Sequence, residues 1–169
     1  MIPVQDVTKP RVGMRNSRGF SLIELLVVVA VILIIAAIAI PNFIKSKMRA
    51  NEAAAVHNIR NISTAQVVYA STYGIGFSAD LAKLGGTGTT VDQNNAGLID
   101  QVLATGTKSG YVFIYTVLNT DALGHVTNYS VVAEPLLVGN SGQRYFYTDQ
   151  TSVIRANDST TAGPSDSAI

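Results

Sequence analysis

The chain has 169 residues, of which 47% are hydrophobic and 14% are charged, and its formal net charge is +1. This length allows one globular domain, and the balanced charge excludes the basic footprint of a nucleic-acid-binding protein. Cysteine is absent, which excludes disulfides, thiolate zinc sites and a lipoprotein anchor. An exported domain of this composition must therefore be stabilised by packing alone.

Residues 1–19 differ in composition from the segment that follows them. They contain two prolines, no apolar periodicity, and four basic residues against the single acid Asp6, which gives a local charge of +3. The basic residues are Lys9, Arg11, Arg15 and Arg18. We predict a disordered cytoplasmic leader, and its removal would change the net charge from +1 to −2.

The 21 residues from Phe20 to Ile40 include only two polar side chains, Ser21 and Glu24. At about 1.5 Å per residue, this segment is long enough to cross a hydrocarbon core of about 30 Å. Because basic residues precede it, the amino terminus is expected in the cytoplasm and the chain after Pro41 outside. We therefore predict one transmembrane helix over residues 20–41.

Glu24 is the unusual member of this apolar segment. A charged acid in a bilayer costs roughly 2.5 to 3.5 kcal/mol, so its presence indicates a function that supplies a partner. A cut after Gly19 would create an α-amino group on Phe20, which is a cation at the same membrane depth. In a bundle of identical helices offset along their axes, Glu24 of one subunit could pair with the amine of a neighbour. Because this pairing forms only in the assembly, the carboxylate would both hold subunits together and set their register.

Two other interpretations of the apolar segment stay open. A secretory signal peptide is favoured by Ala37-Ile38-Ala39, a small-x-small site that would give a mature chain beginning at Ile40. The apolar run is longer than the roughly 7 to 15 residues of such a peptide, however, and Glu24 has no use in one. The second alternative is a membrane-anchored or secreted binding domain that uses residues 1–40 only for export.

Residues 42–73 continue the helix with an amphipathic pattern. Pro41 removes one helical hydrogen bond, which predicts a kink at that position. Apolar residues then recur at steps of three, four or seven, namely Met48, Ala55, Ile59, Ile62, Tyr69 and Tyr73. Polar residues on other faces are Arg49, Asn51, Asn58, Arg60 and Asn61. With Gly74 and Gly76 as a stop signal, we predict one long helix over residues 21–73, roughly 80 Å in length.

Two further segments are rich in polar and turn-forming residues. Residues 74–110 contain many Gly, Thr, Ser and Asn residues, and they are predicted to form a connecting loop with short helices at 80–84 and 98–104. Residues 157–169 consist mostly of Ser, Thr, Asp, Ala and Gly, so we predict a flexible tail.

The predicted sheet lies between these segments, within residues 111–156. Strand-forming residues cluster at 111–118, 128–134 and 144–149, with turn-formers between them. Short links between consecutive strands predict an antiparallel meander, and the apolar stripe of the long helix can cover its apolar face. The predicted fold class is therefore α+β.

The start of the apolar segment resembles the cleavage and methylation signature of type IV pilins and of the pseudopilins of type II secretion. The matching residues are Gly19-Phe20-Ser21-Leu22-Ile23-Glu24. The resemblance implies a type IV pilin fold, cleavage by a prepilin peptidase between Gly19 and Phe20, N-methylation of Phe20, and the assembly role described above for Glu24. N-methylation keeps the amine positive, so the pairing argument is unaffected. Pro41 lies where the helix proline of this family lies.

Three segments after the helix also resemble the head of small bacterial pilin-like proteins, at residues 96–100, 106–111 and 144–149. The chain lacks the cysteine pair of many pilins and the acidic cluster of calcium-dependent pseudopilins. The resemblance implies a filament subunit, not an enzyme, with no cofactor. Its partners would be copies of itself, related pilins, an inner-membrane assembly platform and a cytoplasmic assembly ATPase. Its destination would be an extracellular pilus or, for a pseudopilin, a periplasmic pseudopilus.

Weaker motifs have simpler explanations. Residues 104–110 suggest a phosphate loop, but the glycine spacing that this motif requires before Lys-Ser/Thr is absent, so a turn into the first strand is predicted. His57 and His125 have no neighbouring ligand set. Three aspartates carry oxygens suited to calcium without the spacing of a known calcium loop. They are Asp149, Asp158 and Asp166.

Overall fold

The computed structural model describes residues 19–86 and 90–169, so the predicted leader lies outside the described residues except for Gly19. The chain divides into two compact units, with the boundary between Ala39 and Ile40. Helix α1 is the element that both units share, and it runs over Leu22–Tyr73. The other elements belong to the second unit.

Helix α1 has 52 residues and confirms the predicted long N-terminal helix. Pro41 lies inside it, and the kink predicted there stays a prediction. The helix ends where Gly74 adopts a φ of +67°, a left-handed conformation that glycine accepts without a steric cost.

One stripe of the second half of α1 is buried. Ala55, Ile59, Ile62 and Tyr69 from the predicted stripe are all in the core, because steps of three and four return to the same helical face. Asn58, which the pattern placed on another face, is buried as well, with 3% of its surface exposed. The core side of this helix is therefore wider and more polar than its apolar residues indicate.

Two short helices lie in the segment that joins α1 to the sheet. Helices α2 and α3 cover Leu81–Leu84 and Gln101–Ala104. Each begins after an aspartate whose carboxylate accepts a hydrogen bond from a backbone N–H of the first turn, at 2.8 Å for Asp80 and 3.1 Å for Asp100. Carboxylates stabilise helix starts in this way because the first N–H groups lack helical partners.

The sheet has six strands in chain order, and every neighbouring pair is antiparallel. The strands are β1 Thr107–Lys108, β2 Tyr111–Thr120, β3 Val126–Pro135, β4 Tyr145–Asp149, β5 Arg155–Asn157 and β6 Ser167–Ala168. The predicted antiparallel meander is confirmed in β2, β3 and β4. Strands β1, β5 and β6 extend it on both sides.

The buried face of the sheet and the buried stripe of α1 form one hydrophobic cluster. Tyr111, Tyr129 and Phe146 are its largest fully buried sheet residues, and Leu84 and Leu103 join it from the two short helices. The α+β fold is thus a helix packed on one face of an antiparallel sheet, with the connecting segment completing the core.

The segment 157–169 contributes to the sheet, which its polar composition does not indicate. Strand β6 pairs with β5, and Ala162 is 3% exposed. Asp166 accepts hydrogen bonds from the Asn157 side chain at 3.0 Å and from the Gly163 backbone at 2.8 Å. Backbone pairing with an existing strand edge can order a short polar segment that has no apolar pattern of its own.

Candidate functional site

Gly19 and Phe20 lie just before the first residue of α1. The Phe20 side chain is 86% exposed. A Cβ atom added to Gly19 would meet no atom of the described residues within 4 Å, apart from its two chain neighbours. The described structure therefore gives no internal packing reason for glycine at this position.

Glu24 lies in the first turn of α1 and is bound to its own chain. Its Oε2 atom accepts a hydrogen bond from the Ser21 backbone N–H at 2.8 Å, while the Ser21 carbonyl accepts from the Leu25 N–H at 3.2 Å. Ser21 is therefore the N-cap, and Glu24 is the third helical residue that reaches back to it. This arrangement satisfies one N–H at the helix start and places negative charge at the positive end of the helix dipole.

Sequence reasoning missed the role of Ser21. The signal was present, because Ser-x-x-Glu before an apolar run is a capping box. The arrangement leaves the second carboxylate oxygen of Glu24 without a hydrogen bond inside the described chain, so this atom can accept one from outside.

The surroundings of Glu24 are apolar and exposed. Glu24 shares an open depression of about 430 Å³ with Phe20, Ile23, Val27 and Val28. Helix α1 is long and apolar enough to cross a membrane by length and composition, with a mean hydropathy of 3.3 over its most apolar 18 residues, and none of that window is buried within the chain. A carboxylate is thus presented at one end of an apolar surface that its own chain does not cover.

The remaining predicted site residues are engaged locally. His57 lies 3.2 Å from Asn61, and His125 lies 3.1 Å from the Asp121 carboxylate. The His125 backbone N–H and other local hydrogen bonds lower the pKa of Asp121. Pro41 lies in the middle of α1 with its side chain exposed.

Asp149, Asp158 and Asp166 do not come together as a metal site. Asp149 accepts from Thr151, Asp158 accepts from Arg144, and Asp166 binds within the tail, as described above. Across residues 19–86 and 90–169, no group of three or more His, Cys, Asp or Glu side chains is placed to hold a metal ion.

The segment that suggested a phosphate loop forms β1 and the turn into β2. Lys108 donates to Asp100 Oδ2 at 2.6 Å, so the lysine is engaged by a carboxylate. The same hydrogen bond lowers the pKa of Asp100. These contacts tie the start of α3 to the edge of the sheet.

Comparison with known proteins places this geometry in context. A family model described as the prokaryotic N-terminal methylation motif matches residues 14–40. The chain is 55% identical over 51 residues to the type IV major pilin protein PilA of Myxococcus xanthus, covering 30% of this chain and 23% of that protein. It is 56% identical over 39 residues to the type IV wide pilus major component PilA4 of Thermus thermophilus, covering 23% and 30%.

A third relative matches beyond the helix. The chain is 34% identical over 114 residues to a fimbrial protein of Pseudomonas aeruginosa, covering 57% of this chain and 73% of that protein. The matches to the first two relatives span less than a third of their lengths. No solved structure matches this chain.

Proposed function

Because the chain belongs to the type IV pilin superfamily, we propose that it is a structural subunit of a type IV pilus. In this proposal the precursor is held in the inner membrane by residues 20–41, with its amino terminus in the cytoplasm. A prepilin peptidase cuts after Gly19, and Phe20 is then N-methylated. An assembly platform and a cytoplasmic ATPase add the subunit to a filament.

The observation that carries the proposal is the combination of Glu24 with an exposed apolar helix. The helix satisfies its own backbone hydrogen bonds, but its apolar side chains find no cover within the chain. Lipid can cover them in the precursor, and neighbouring helices can cover them in a filament. The Glu24 oxygen that has no internal partner then meets the amine of Phe20 from another subunit, and this pairing favours the assembled state.

The surroundings of Gly19 support recognition of this segment by another protein. Nothing within the described residues approaches the position of its missing Cβ, so no packing contact there requires glycine. A protease that binds the backbone closely would need it. We expect Gly19→Leu to leave the leader attached while the head folds normally, and intact mass is the measurement. A mature chain beginning at Phe20 in this variant would contradict the role of Gly19.

The central experiment is intact mass and N-terminal sequencing of protein from native membranes and from sheared surface material. The proposal predicts N-methylated Phe20 as the first residue in both fractions. A mature chain beginning at Ile40 would show that the apolar segment is a signal peptide, and the filament proposal would fail. An unprocessed chain confined to membranes would indicate a plain anchor for a binding domain.

A pseudopilin of a type II secretion system is the second candidate function, because the Gly19 to Glu24 motif is shared with that group. The two are separated by a deletion of the gene. Loss of surface filaments supports a pilin, whereas loss of protein secretion with no surface filament lost supports a pseudopilin.

A further inference from the structure

Three cations follow the apolar segment directly. Lys45, Lys47 and Arg49 occur between Ile40 and Asn51, and this stretch contains no acidic residue. The proposed orientation places them on the outer side of the membrane, where short flanking segments ordinarily carry few Lys and Arg residues. A specific contact would offset the unfavourable position of these charges.

Two of the three cations line a cleft in the second unit. Lys45 and Arg49 are four residues apart, so they lie on one face of α1. With Arg144 from the segment before β4, they line an open cleft of about 520 Å³. Glu52 and Asp158 also line it, so three positive and two negative charges face the same space.

The two acids of this cleft already have partners. Glu52 Oε1 accepts from the backbone N–H groups of Gln143 at 2.9 Å and Arg144 at 3.3 Å. Asp158 Oδ1 accepts from Arg144 Nε at 3.0 Å. Within the described residues, Lys45 and Arg49 make no hydrogen bond or ion pair. The cleft therefore presents two cations without an ion-pair partner beside a third that Asp158 holds in place, and its net charge is positive even with Glu52 included.

We propose that this cleft binds the phosphate group of an anionic phospholipid in the outer leaflet of the membrane that holds the subunit. The inference rests on the membrane orientation in the proposed function. Arg49 supplies a planar guanidinium that can bind phosphate oxygens in pairs, and Lys45 supplies a compact charge one helical turn nearer to the membrane. Both side chains have long apolar stems, which lets their charged ends reach the headgroup level.

A lipid fits the cleft better than a second copy of the chain does. The sequence has eleven acids, and ten remain when Asp6 is set aside. Each of these ten accepts a hydrogen bond or ion pair within its own chain. A second copy would bring carboxylates that are already engaged within their own chain, whereas a phospholipid brings an unengaged anion.

The test uses the full chain in nanodiscs, with native mass spectrometry to count retained lipids. The probe is phosphatidylglycerol, with phosphatidylcholine as the neutral reference. We expect retained phosphatidylglycerol to bind about fivefold more weakly in Lys45→Gln, and on the order of 25-fold more weakly in the Lys45→Gln/Arg49→Gln double variant. Lys47→Gln is the matched control, because it removes the same charge two residues away and does not line the cleft.

Three results of the binding test would overturn the inference. If Lys45→Gln and Lys47→Gln lose the same amount of retained phosphatidylglycerol, the binding is a general attraction between cations and an anionic surface, and the cleft is not a site. Displacement of the lipid by inorganic phosphate would indicate a site for soluble anions. If the unchanged chain self-associates in phosphatidylcholine nanodiscs and the double variant does not, the occupant of the cleft is a second copy of the chain.

A separate measurement concerns the membrane orientation, which protease accessibility in intact spheroplasts reads independently of lipid binding. A chain that fails to insert, or inserts with residues after Pro41 on the cytoplasmic side, would overturn both the proposed orientation and the lipid site. Correct insertion with unchanged lipid retention in the double variant would overturn the lipid site alone.

Discussion

Helix α1 contains two regions that share a backbone conformation and differ in what surrounds them. From Leu22 to Ile38, nearly all large apolar side chains are exposed, including Ile32 at 57%. Between Ala55 and Tyr69, by contrast, a stripe of side chains is buried, including Ile59 at 0%. One helix therefore contains a region with a stripe of side chains buried within the chain and a region whose apolar side chains the chain leaves exposed.

The difference shows which energy term each region depends on. Backbone hydrogen bonds are satisfied within a helix in either setting, so helix formation does not distinguish them. Burial of apolar surface does, at roughly 25 cal/mol per Å². The second region obtains this burial by packing against its own sheet, whereas the first must obtain it from lipid or from other subunits. Polymerisation would therefore change the burial of the first region and leave that of the second region as it is.

The largest expected effect comes from Glu24, because it belongs to the region that depends on other subunits. Glu24→Ala would leave the amine of a neighbouring Phe20 without its partner, and breaking a buried ion pair in this way costs about 3 to 5 kcal/mol. We expect normal processing and normal head stability, but severely reduced filament yield in a shearing assay.

The control for this prediction is Glu24→Gln. Glutamine keeps a side-chain oxygen that can accept from the Ser21 N–H, so it preserves the helix cap and removes only the charge. We expect it to assemble as poorly as Glu24→Ala. Normal filament yield from either variant would refute the pairing argument.

Ile59 tests the region of α1 whose buried stripe is covered by its own chain. Ile59→Ala removes a fully buried side chain from the core and should lower the free energy of unfolding by about 2 to 5 kcal/mol. Ile32→Ala makes the same chemical change at an exposed position and should lower it by less than about 0.5 kcal/mol. Thermal unfolding of the full chain in detergent, followed by tyrosine circular dichroism, measures both. Similar losses would remove the distinction between the two regions.

The buried tyrosines predict loss of head stability at alkaline pH. Burial raises the pKa of Tyr111 and Tyr115 above the usual value of 10.0. The folded pKa of each exceeds the unfolded one, so their contribution is complete below pH 10 and is lost above it. The loss is up to about 1.4 kcal/mol per pH unit for each group.

Denaturant unfolding at several pH values, with tyrosinate absorbance as the probe, checks this dependence. Tyr115→Phe removes one titrating group, so its stability should fall less steeply with pH than that of the unchanged chain, whatever its absolute value. A flat stability between about pH 10 and pH 11 would count against the prediction.

The smallest expected effect is at Asp100, on the surface of the head. Its ion pair with Lys108 lowers the carboxyl pKa, so the stabilisation is present above the unfolded value near 3.8 and is lost as pH falls through the lower folded pKa. Because both side chains are partly exposed, we expect Asp100→Asn to cost less than about 1 kcal/mol at neutral pH. Asparagine can still cap α3, so unfolding at pH 7 and at low pH isolates the ion pair. If Asp100→Asn lowers the free energy of unfolding more at low pH than at pH 7, the predicted role of the ion pair is wrong.

Much of this fold could be predicted from sequence because the signals are local. The apolar run and the stripe at steps of three and four predict α1, and Gly74 marks its end. Strands β2 and β3 are long and rich in strand-forming residues. The candidate site at Gly19, Phe20 and Glu24 was recognised from a contiguous motif, although its processing and pairing stay predictions.

The features that were missed depend on partners that lie outside the short window of sequence in which each pattern is read. Strands β5 and β6 have three and two residues, too few for a periodic pattern, and they exist because an open strand edge accepts them. Gln66 is fully buried, and its Oε1 accepts from the Ser78 N–H at 2.8 Å. Asn51 donates to the Ser141 carbonyl at 2.7 Å, across 90 residues of sequence. No local pattern predicts such contacts.

The order of the six strands has a consequence for how the head is delivered. Each strand pairs with the one just before it in the chain, so none must wait for a later segment to be inserted between two others. The helical stripe that the sheet covers precedes every strand. A chain that emerges across a membrane with its amino-terminal helix retained can therefore build its sheet in the order of emergence, on a surface already outside. Contacts between successive segments also favour rapid folding, which shortens the time that an unfinished sheet edge is open to other chains.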